Sequence, residues 1–350
     1  VMSRNRFQKL VSLLHFENNL SPTEEKKKED NLWKIRPWLE LFRQTCLREA
    51  PEENQCVDES MVAFKGSSIL CQFIQNKPTR WGFKMWARAG SSGYLHDFDI
   101  YQGKNPHKVK NTPGKGLGYN VVMELTKTLE SNHYFRVYAD NFFTTFHVAQ
   151  SLLKRGIYYT GTIRAGRFRK CNLPDEKELK AQGRGFAASQ VDTTGKFAIV
   201  RWFDKKCVTL LSSLAGIEPK DKAKRWDRTK KEHILVPRPA IVQLYNRNMG
   251  GVDLHDMLTA LYKYPIKSRR WYLYIFWHTI TIAVVNSWMK YRKDCSELSE
   301  KHVPLRSFQA DTASALISSG QGKFKRGRPS AEDMSKKVKK AETTVAPVLE

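Results

Sequence analysis

Tyr134-Phe135-Arg136-Val137-Tyr138-Ala139-Asp140-Asn141-Phe142-Phe143-Thr144-Thr145 is a β-rich run that stops at an aspartate, turns, and leads into helical spacing over Thr145–Arg155, closed by Gly156. A strand that ends on Asp140 sets a carboxylate at the carboxyl end of a sheet, where α/β proteins keep their sites. Ile157–Ile163 follows as another strand. Upstream, Val121–Leu129 has helix spacing, and three short strand-like runs precede it. Val57–Phe64 carries Val57, Met61, Val62 and Phe64; Phe83–Arg88 alternates Phe83, Met85 and Ala87; Phe98–Gln102 is the third. The order is therefore βββαβαβ, with Asp58 on the first strand and Asp140 at the end of the fourth.

That order is the one of a ribonuclease-H-like sheet, so the expected fold class is α/β. The catalytic core would occupy 56–163 and 236–260, with an insertion at 164–235. A helical domain would come from both flanks, 1–55 and 261–310. In the first flank, Phe7, Leu10, Val11 and Leu14 follow helical spacing, as do Ile35, Trp38, Leu39, Leu41, Phe42 and Cys46. In the second, Trp271–Tyr291 is so apolar and aromatic that it reads as a buried helix. The insertion is basic and loop-rich, with one hairpin expected from Phe197–Trp202 and Val208–Ser213. Residues 311–350 read as a disordered basic tail.

Two further aspartates sit in Gly250-Gly251-Val252-Asp253-Leu254-His255-Asp256-Met257, at or near a helix start. Spaced i, i+3, Asp253 and Asp256 share one helix face. Carboxylates delivered by separate elements are what a two-metal phosphoryl-transfer site needs, because Mg²⁺ and Mn²⁺ take hard oxygen ligands. Taken singly, each aspartate is also ordinary, since strand ends and helix starts favour the residue.

Sixty Lys+Arg against 35 Asp+Glu give a formal charge of +25, which a polyanion would neutralise. Residues 320–350 supply eight basic and four acidic side chains, so +21 of that charge stays on residues 1–319. A DNA-binding body is expected, beyond a merely charged tail. The six cysteines form neither a CxxC pair nor a compact Cys/His run, so no zinc module or disulfide framework is signalled, and a reducing compartment is the simpler reading. No stretch has the roughly 18 consecutive apolar residues of a membrane span. No membrane partner and no small-molecule substrate are expected. Opening on Val1 beside helix-like sequence suggests a fragment lacking its true N-terminus.

The runs Val57-Asp58-Glu59, Phe64-Lys65-Gly66, Asn76-Lys77-Pro78-Thr79-Arg80-Trp81-Gly82-Phe83-Lys84, Asp140 through Thr145, Gly161-Thr162-Ile163-Arg164, Tyr245-Asn246, Gly250 through Asp256, and Arg270-Trp271 closely resemble the piggyBac transposase family. The resemblance covers roughly 1–295 in order, more than one short motif could supply. It implies a DDE/D-type catalytic set on a ribonuclease-H-like fold: Asp58, Asp140 and Asp253 as ligands of two divalent ions, Mg²⁺ or Mn²⁺, and Asp256 as the fourth essential carboxylate. It further implies cleavage at transposon ends through a 3′-hydroxyl and a hairpin, integration at TTAA, double-stranded DNA as partner, a homodimer and a nuclear location.

Lys267, Arg269, Arg270 and Trp271 make a basic loop ending in an aromatic, the combination that grips phosphates and stacks on an unpaired base. Trp271 reads equally as the first residue of the buried helix; the resemblance assigns it to the hairpin end. Lys77, Arg80 and Lys84 around Trp81, and Arg164 and Arg167 in the run to Lys170, are further candidate phosphate contacts. In the tail, Arg326-Gly327-Arg328-Pro329 looks like an AT-hook, and with Lys336–Lys340 it also suits nuclear import.

The family's C-terminal cysteine-rich zinc domain has no counterpart after Cys295. Two readings follow. One is a metal-dependent transposase or DNA-end nuclease with all four aspartates in place; the other is a domesticated, catalytically silent protein that binds DNA or chromatin.

Overall fold

In the computed structural model, residues 2–75, 77–103, 114–168 and 171–320 are described. Three helices come first: α1 (Arg4–Leu13), α2 (Glu24–Glu29) and α3 (Arg36–Cys46). Leu39, Phe42 and Cys46 are the buried positions of α3, one stripe at three- and four-residue spacing. The sheet then opens with β1 (Asn54–Ala63), β2 (Cys71–Phe73), β3 (Trp81–Gly90) and β4 (Leu95–Ile100). β3 lies antiparallel to β1, pairing Ala87 with Asp58, and offers its other edge to β2 and then β4.

Next come α4 (Gly116–Leu125), β5 (Arg136–Ala139), α5 (Phe146–Leu153) and β6 (Tyr158–Thr162). β5 is parallel to β1 and β6 to β5, so the order β4-β3-β1-β5-β6 has three antiparallel strands followed by two parallel ones. This is the ribonuclease-H-like arrangement expected from the strand order, with the short β2 added. α4 starts five residues before the expected Val121 and stops at Leu125, because Gly116 and Gly118 hide its first turn from an apolar pattern. Gly118 is there for closeness: a Cβ would lie 2.7 Å from the Phe142 carbonyl oxygen, in the loop after β5.

The segment expected as a separate insertion contains α6 (Glu176–Gln182), β7 (Ala187–Val191), β8 (Ala198–Phe203), β9 (Cys207–Ser212), β10 (Asp221–Asp227) and β11 (Glu232–Arg238). The expected hairpin is β8–β9, closed at Phe203 and Cys207. It does not stand apart, however, because β9 pairs antiparallel with β6 through Thr160 and Ser212. The segment thereby extends the core sheet to nine strands and covers the edge that β6 would otherwise expose. Only the β10–β11 ribbon forms its own sheet among the described residues.

Four helices complete the described residues: α7 (Ala240–Asn248), α8 (Gly251–Leu261), α9 (Trp271–Glu297) and α10 (Leu305–Gly320). Residues 311–320, expected in the disordered tail, are thus helical. Gln8–His302 forms one compact unit, and the described residues up to Phe7 and from Val303 form a second. Within the large unit, Cys56, Val62, Phe83 and Phe98 on one sheet face are buried with Leu39, Phe42, Val252 and Ile275. On the other face, Val57, Val137 and Ala139 are buried with Val122, Val148 and Leu152. β1 is buried on both faces, at Gln55–Val57 and again at Ser60–Val62, with Asp58 and Glu59 partly open between them.

Candidate active site

Val57 on β1 is in register with Ala139 on β5, so Asp58 and Asp140 each stand one residue beyond a paired position on adjacent parallel strands. Neighbouring strands run about 4.8 Å apart, which makes the two aspartates side-by-side neighbours where β5 ends and β1 runs on. Each carboxylate also accepts from a nearby backbone group. Asp58 Oδ1 takes the Glu59 N–H at 2.8 Å, and Asp140 Oδ1 takes the Phe142 N–H at 2.8 Å.

α8 brings the other two aspartates by lying on β1. Cys56, Asp58 and Ser60 alternate onto one strand face, and α8 meets that face at two points. The Val252 N–H donates to Cys56 Sγ at 3.1 Å, and the Ser60 hydroxyl donates to Asp256 Oδ1 at 2.6 Å. Asp58 lies between these two anchors in sequence. The close approach requires Gly251, where a Cβ would stand 2.2 Å from the Gly90 carbonyl oxygen. One turn earlier than Asp256, Asp253 has a side chain 73% exposed, with Oδ1 3.9 Å from Lys77 Nζ.

Burial dominates the electrostatics. It pushes the Asp58 carboxyl up to about 7, helped by the charges of Asp140 and Glu59 and opposed by the Lys77 ammonium and the Glu59 N–H. Burial likewise raises Asp140, against the Phe142 N–H bond. It lifts Asp256 to about 6 in spite of the Ser60 bond and the charge of Lys77. Burial thus raises three acidic groups, Asp58, Asp140 and Asp256, and the Lys77 charge opposes it only in part at Asp58 and Asp256.

The donor chemistry suits a hard divalent cation: carboxylate oxygens, partly desolvated and only in part offset by the Lys77 charge. Their present arrangement is an open one. Among the described residues, no three His, Cys, Asp or Glu side chains are grouped so as to hold a metal ion. Each aspartate is instead turned to a protein partner: Glu59 N–H, Phe142 N–H, Lys77 and Ser60.

The basic candidates divide by position. Lys77 points inward, its Nζ donating to the Glu59 carbonyl at 2.7 Å. Lys84 also turns in, 3.0 Å from Glu59 Oε2 and 3.9 Å from the centre of the Trp86 ring. Arg164 and Arg167 wrap the loop after Asp140: Arg164 Nε donates to Asn141 Oδ1 at 2.8 Å, and Arg167 Nη1 donates to the carbonyls of Asn141 at 2.8 Å and Thr144 at 2.6 Å. Arg80, Lys267 and Arg269 are exposed, and Arg270 is half-buried at the N-cap of α9. Trp271 opens α9 partly buried, tilted edge-on to Phe83 at 6.1 Å and Tyr272 at 5.8 Å. Arg326 and Arg328, with the AT-hook-like and import-like runs, lie outside the described residues.

Sequence reading missed Ser60, Glu59 and the inward course of Lys77. Ser60 carried a usable signal, because it follows Asp58 by two residues and so shares its strand face.

Comparison with known proteins adds the lineage. The profile of the family described as Transposase IS4 matches residues 1–288. The human PiggyBac transposable element-derived protein 2 is 31% identical over 330 residues, covering 93% of this chain and 54% of that protein. The human PiggyBac transposable element-derived protein 3 is 32% identical over 298 residues, covering 83% of this chain and 48% of that one. The chain therefore spans about half the length of these relatives. Among solved structures, a piggyBac transposase synaptic complex with hairpin DNA matches with a TM-score of 0.75 at 24% identity, over 99% of this chain and 74% of that chain. At that identity the likeness supports the fold.

Proposed function

Because the chain belongs to the Transposase IS4 family, among piggyBac-derived proteins, we propose that it is the core of a DDE/D-type DNA transposase that binds DNA ends and carries out metal-dependent strand cleavage and transfer. The observation that carries this reading is the side-by-side placement of Asp58 and Asp140 on parallel strands, with Asp256 tied to the same strand face through Ser60. Asp58, Asp140 and Asp253 would hold the divalent ions, Mg²⁺ or Mn²⁺. Bound there, such ions supply charge stabilisation at phosphate and an activated oxygen nucleophile. Asp256, kept close to Asp58 by the Ser60 hydroxyl, serves as the fourth carboxylate, able to take or hold a proton near neutral pH.

Arg164 and Arg167 fix the loop that carries Asp140 while leaving exposed guanidinium surface toward solvent. With Arg80, Lys267 and Arg269 they are the candidates for phosphate contact. Double-stranded terminal repeats as substrate, hairpin ends, TTAA targets, dimerisation through the helical flanks and work in the nucleus belong to the same proposal.

A second reading, a silent DNA-binding descendant, is favoured by one observation: the carboxylates are turned to protein partners and no metal-holding group is formed among the described residues. One experiment separates the two. The protein is incubated with Mg²⁺ or Mn²⁺ and a TTAA-flanked terminal-repeat duplex. Cleavage that disappears in Asp58→Ala and Asp253→Ala supports the transposase; DNA binding with no cleavage, or cleavage indifferent to these changes, leaves the silent binder.

A further inference from the structure

The loop between β2 and β3 spans residues 74–80 and is closed by the Ile74 N–H donating to the Arg80 carbonyl at 2.8 Å. Lys77 lies at its middle. Its neighbours Gln75, Pro78 and Arg80 face solvent, yet the Lys77 side chain is only 19% exposed. The side chain instead runs back to the site. Its ammonium donates to the Glu59 carbonyl at 2.7 Å and stands 3.9 Å from Asp253 Oδ1. Its charge also acts on both Asp58 and Asp256, lowering the two carboxyls that burial raises. One cation, carried on a surface hairpin, therefore reaches three of the four aspartates, which come from two different elements.

We propose that the Lys77 ammonium is the resident counter-cation of the aspartate site, and that a divalent metal ion enters by displacing it. This rests on the metal-dependent reading of the same site. A single positive charge offsets the cluster only in part, and a divalent ion brings twice the charge to the same oxygens. Like charges repel, so an ammonium held beside Asp253 weakens metal binding there and a bound metal favours its departure. Lysine suits an exchangeable role: it is a compact point charge on a flexible stem, and its ammonium can swing out to water or to a DNA phosphate once released. An arginine fork would hold a carboxylate in a fixed two-point geometry that is harder to vacate.

The test is a calorimetric Mn²⁺ titration of the full chain without DNA, comparing the unaltered protein with Lys77→Met, and with Lys77→Gln should the first variant fail to fold. Removing the competitor should tighten Mn²⁺ binding by roughly tenfold while lowering the metal-free melting temperature. Lys77→Arg should keep the weaker binding. A part played only in holding the loop would not tighten metal binding. Equal or weaker Mn²⁺ affinity in Lys77→Met and Lys77→Gln overturns the inference and leaves the functional reading standing, provided Asp58→Asn abolishes the binding that is seen. No Mn²⁺ binding by any form overturns both.

Discussion

The Ser60 hydroxyl donates to the Asp256 carboxylate at 2.6 Å and so ties β1 to the acidic face of α8. Ser60→Ala strips a partly buried carboxylate of its donor, so the Asp256 carboxyl should rise further and the fold should lose about 1–3 kcal/mol, measured by urea unfolding. Cleavage activity should fall with it, while binding to duplex DNA should hold. A second residue, Arg88, is tied into the core by its guanidinium. Arg88 is 1% exposed, and its guanidinium donates to the Leu125 carbonyl at 2.7 Å, Gln55 Oε1 at 2.6 Å and Thr128 Oγ1 at 2.9 Å. Asp140 was legible because a strand that stops at an acidic residue is a local pattern, whereas Asp58 lies inside β1, paired with Ala87, and stood out only through the motif around it. Arg88 and Lys77 were not legible, since an arginine or lysine in a basic chain reads as surface until its acceptors, dozens of residues away, are known.

At the scale of elements, the seat of α8 on the sheet decides whether the aspartates meet. Gly251→Ala forces a Cβ to within 2.2 Å of the Gly90 carbonyl oxygen, backbone against backbone, so the helix must lift. Overpacking of this kind costs about 1–3 kcal/mol, and the shift should remove cleavage at temperatures where the variant is still folded. Gly250→Ala is the control, because no atom lies within 4 Å of its would-be Cβ. Its melting temperature and activity should stay close to those of the unaltered protein. The sequence displayed the double glycine, but which of the two carries the contact depends on a partner strand some 160 residues away. The same limit explains β9. Its hairpin with β8 was readable from alternation and a short turn, whereas its pairing with β6 is a long-range choice that local periodicity does not encode. α9 was readable as buried from its aromatic density, and it runs on to Glu297 because nothing in Lys290–Lys293 breaks a helix.

For the whole molecule, charge sets two responses. With a net +25, of which +21 sits outside the last 31 residues, DNA affinity should drop steeply between about 50 and 200 mM salt, by about a thousandfold if six phosphates are neutralised. Filter binding or anisotropy across that range checks it, and a flat response would remove the body from the interface. Acid provides the other test. His96, His255 and His278 are buried, and burial drives them down to about 3, about 4 and about 3. Unfolded imidazoles titrate near 6.5, so their contribution is complete above that pH and is lost as pH falls toward their folded values. Asp58 and Asp256 act in the opposite sense. Their folded carboxyls, at about 7 and about 6, keep protons at pH 5 that unfolded ones release near 3.9, so their contribution is greatest in acid and fades as pH rises. At pH 5 the unfolded chain thus binds about three protons on these histidines against about two on the two folded aspartates, so stability falls with acid at a slope on the order of 1 kcal/mol per pH unit. The double variant Asp58→Asn, Asp256→Asn loses the opposing pair, and its slope should steepen to about 4 kcal/mol per unit. Urea unfolding at half-unit steps from pH 6 to 4.5 reads both slopes; equal slopes would mean that the two carboxyls are already ionised in the folded protein, and that burial does not raise them as described above.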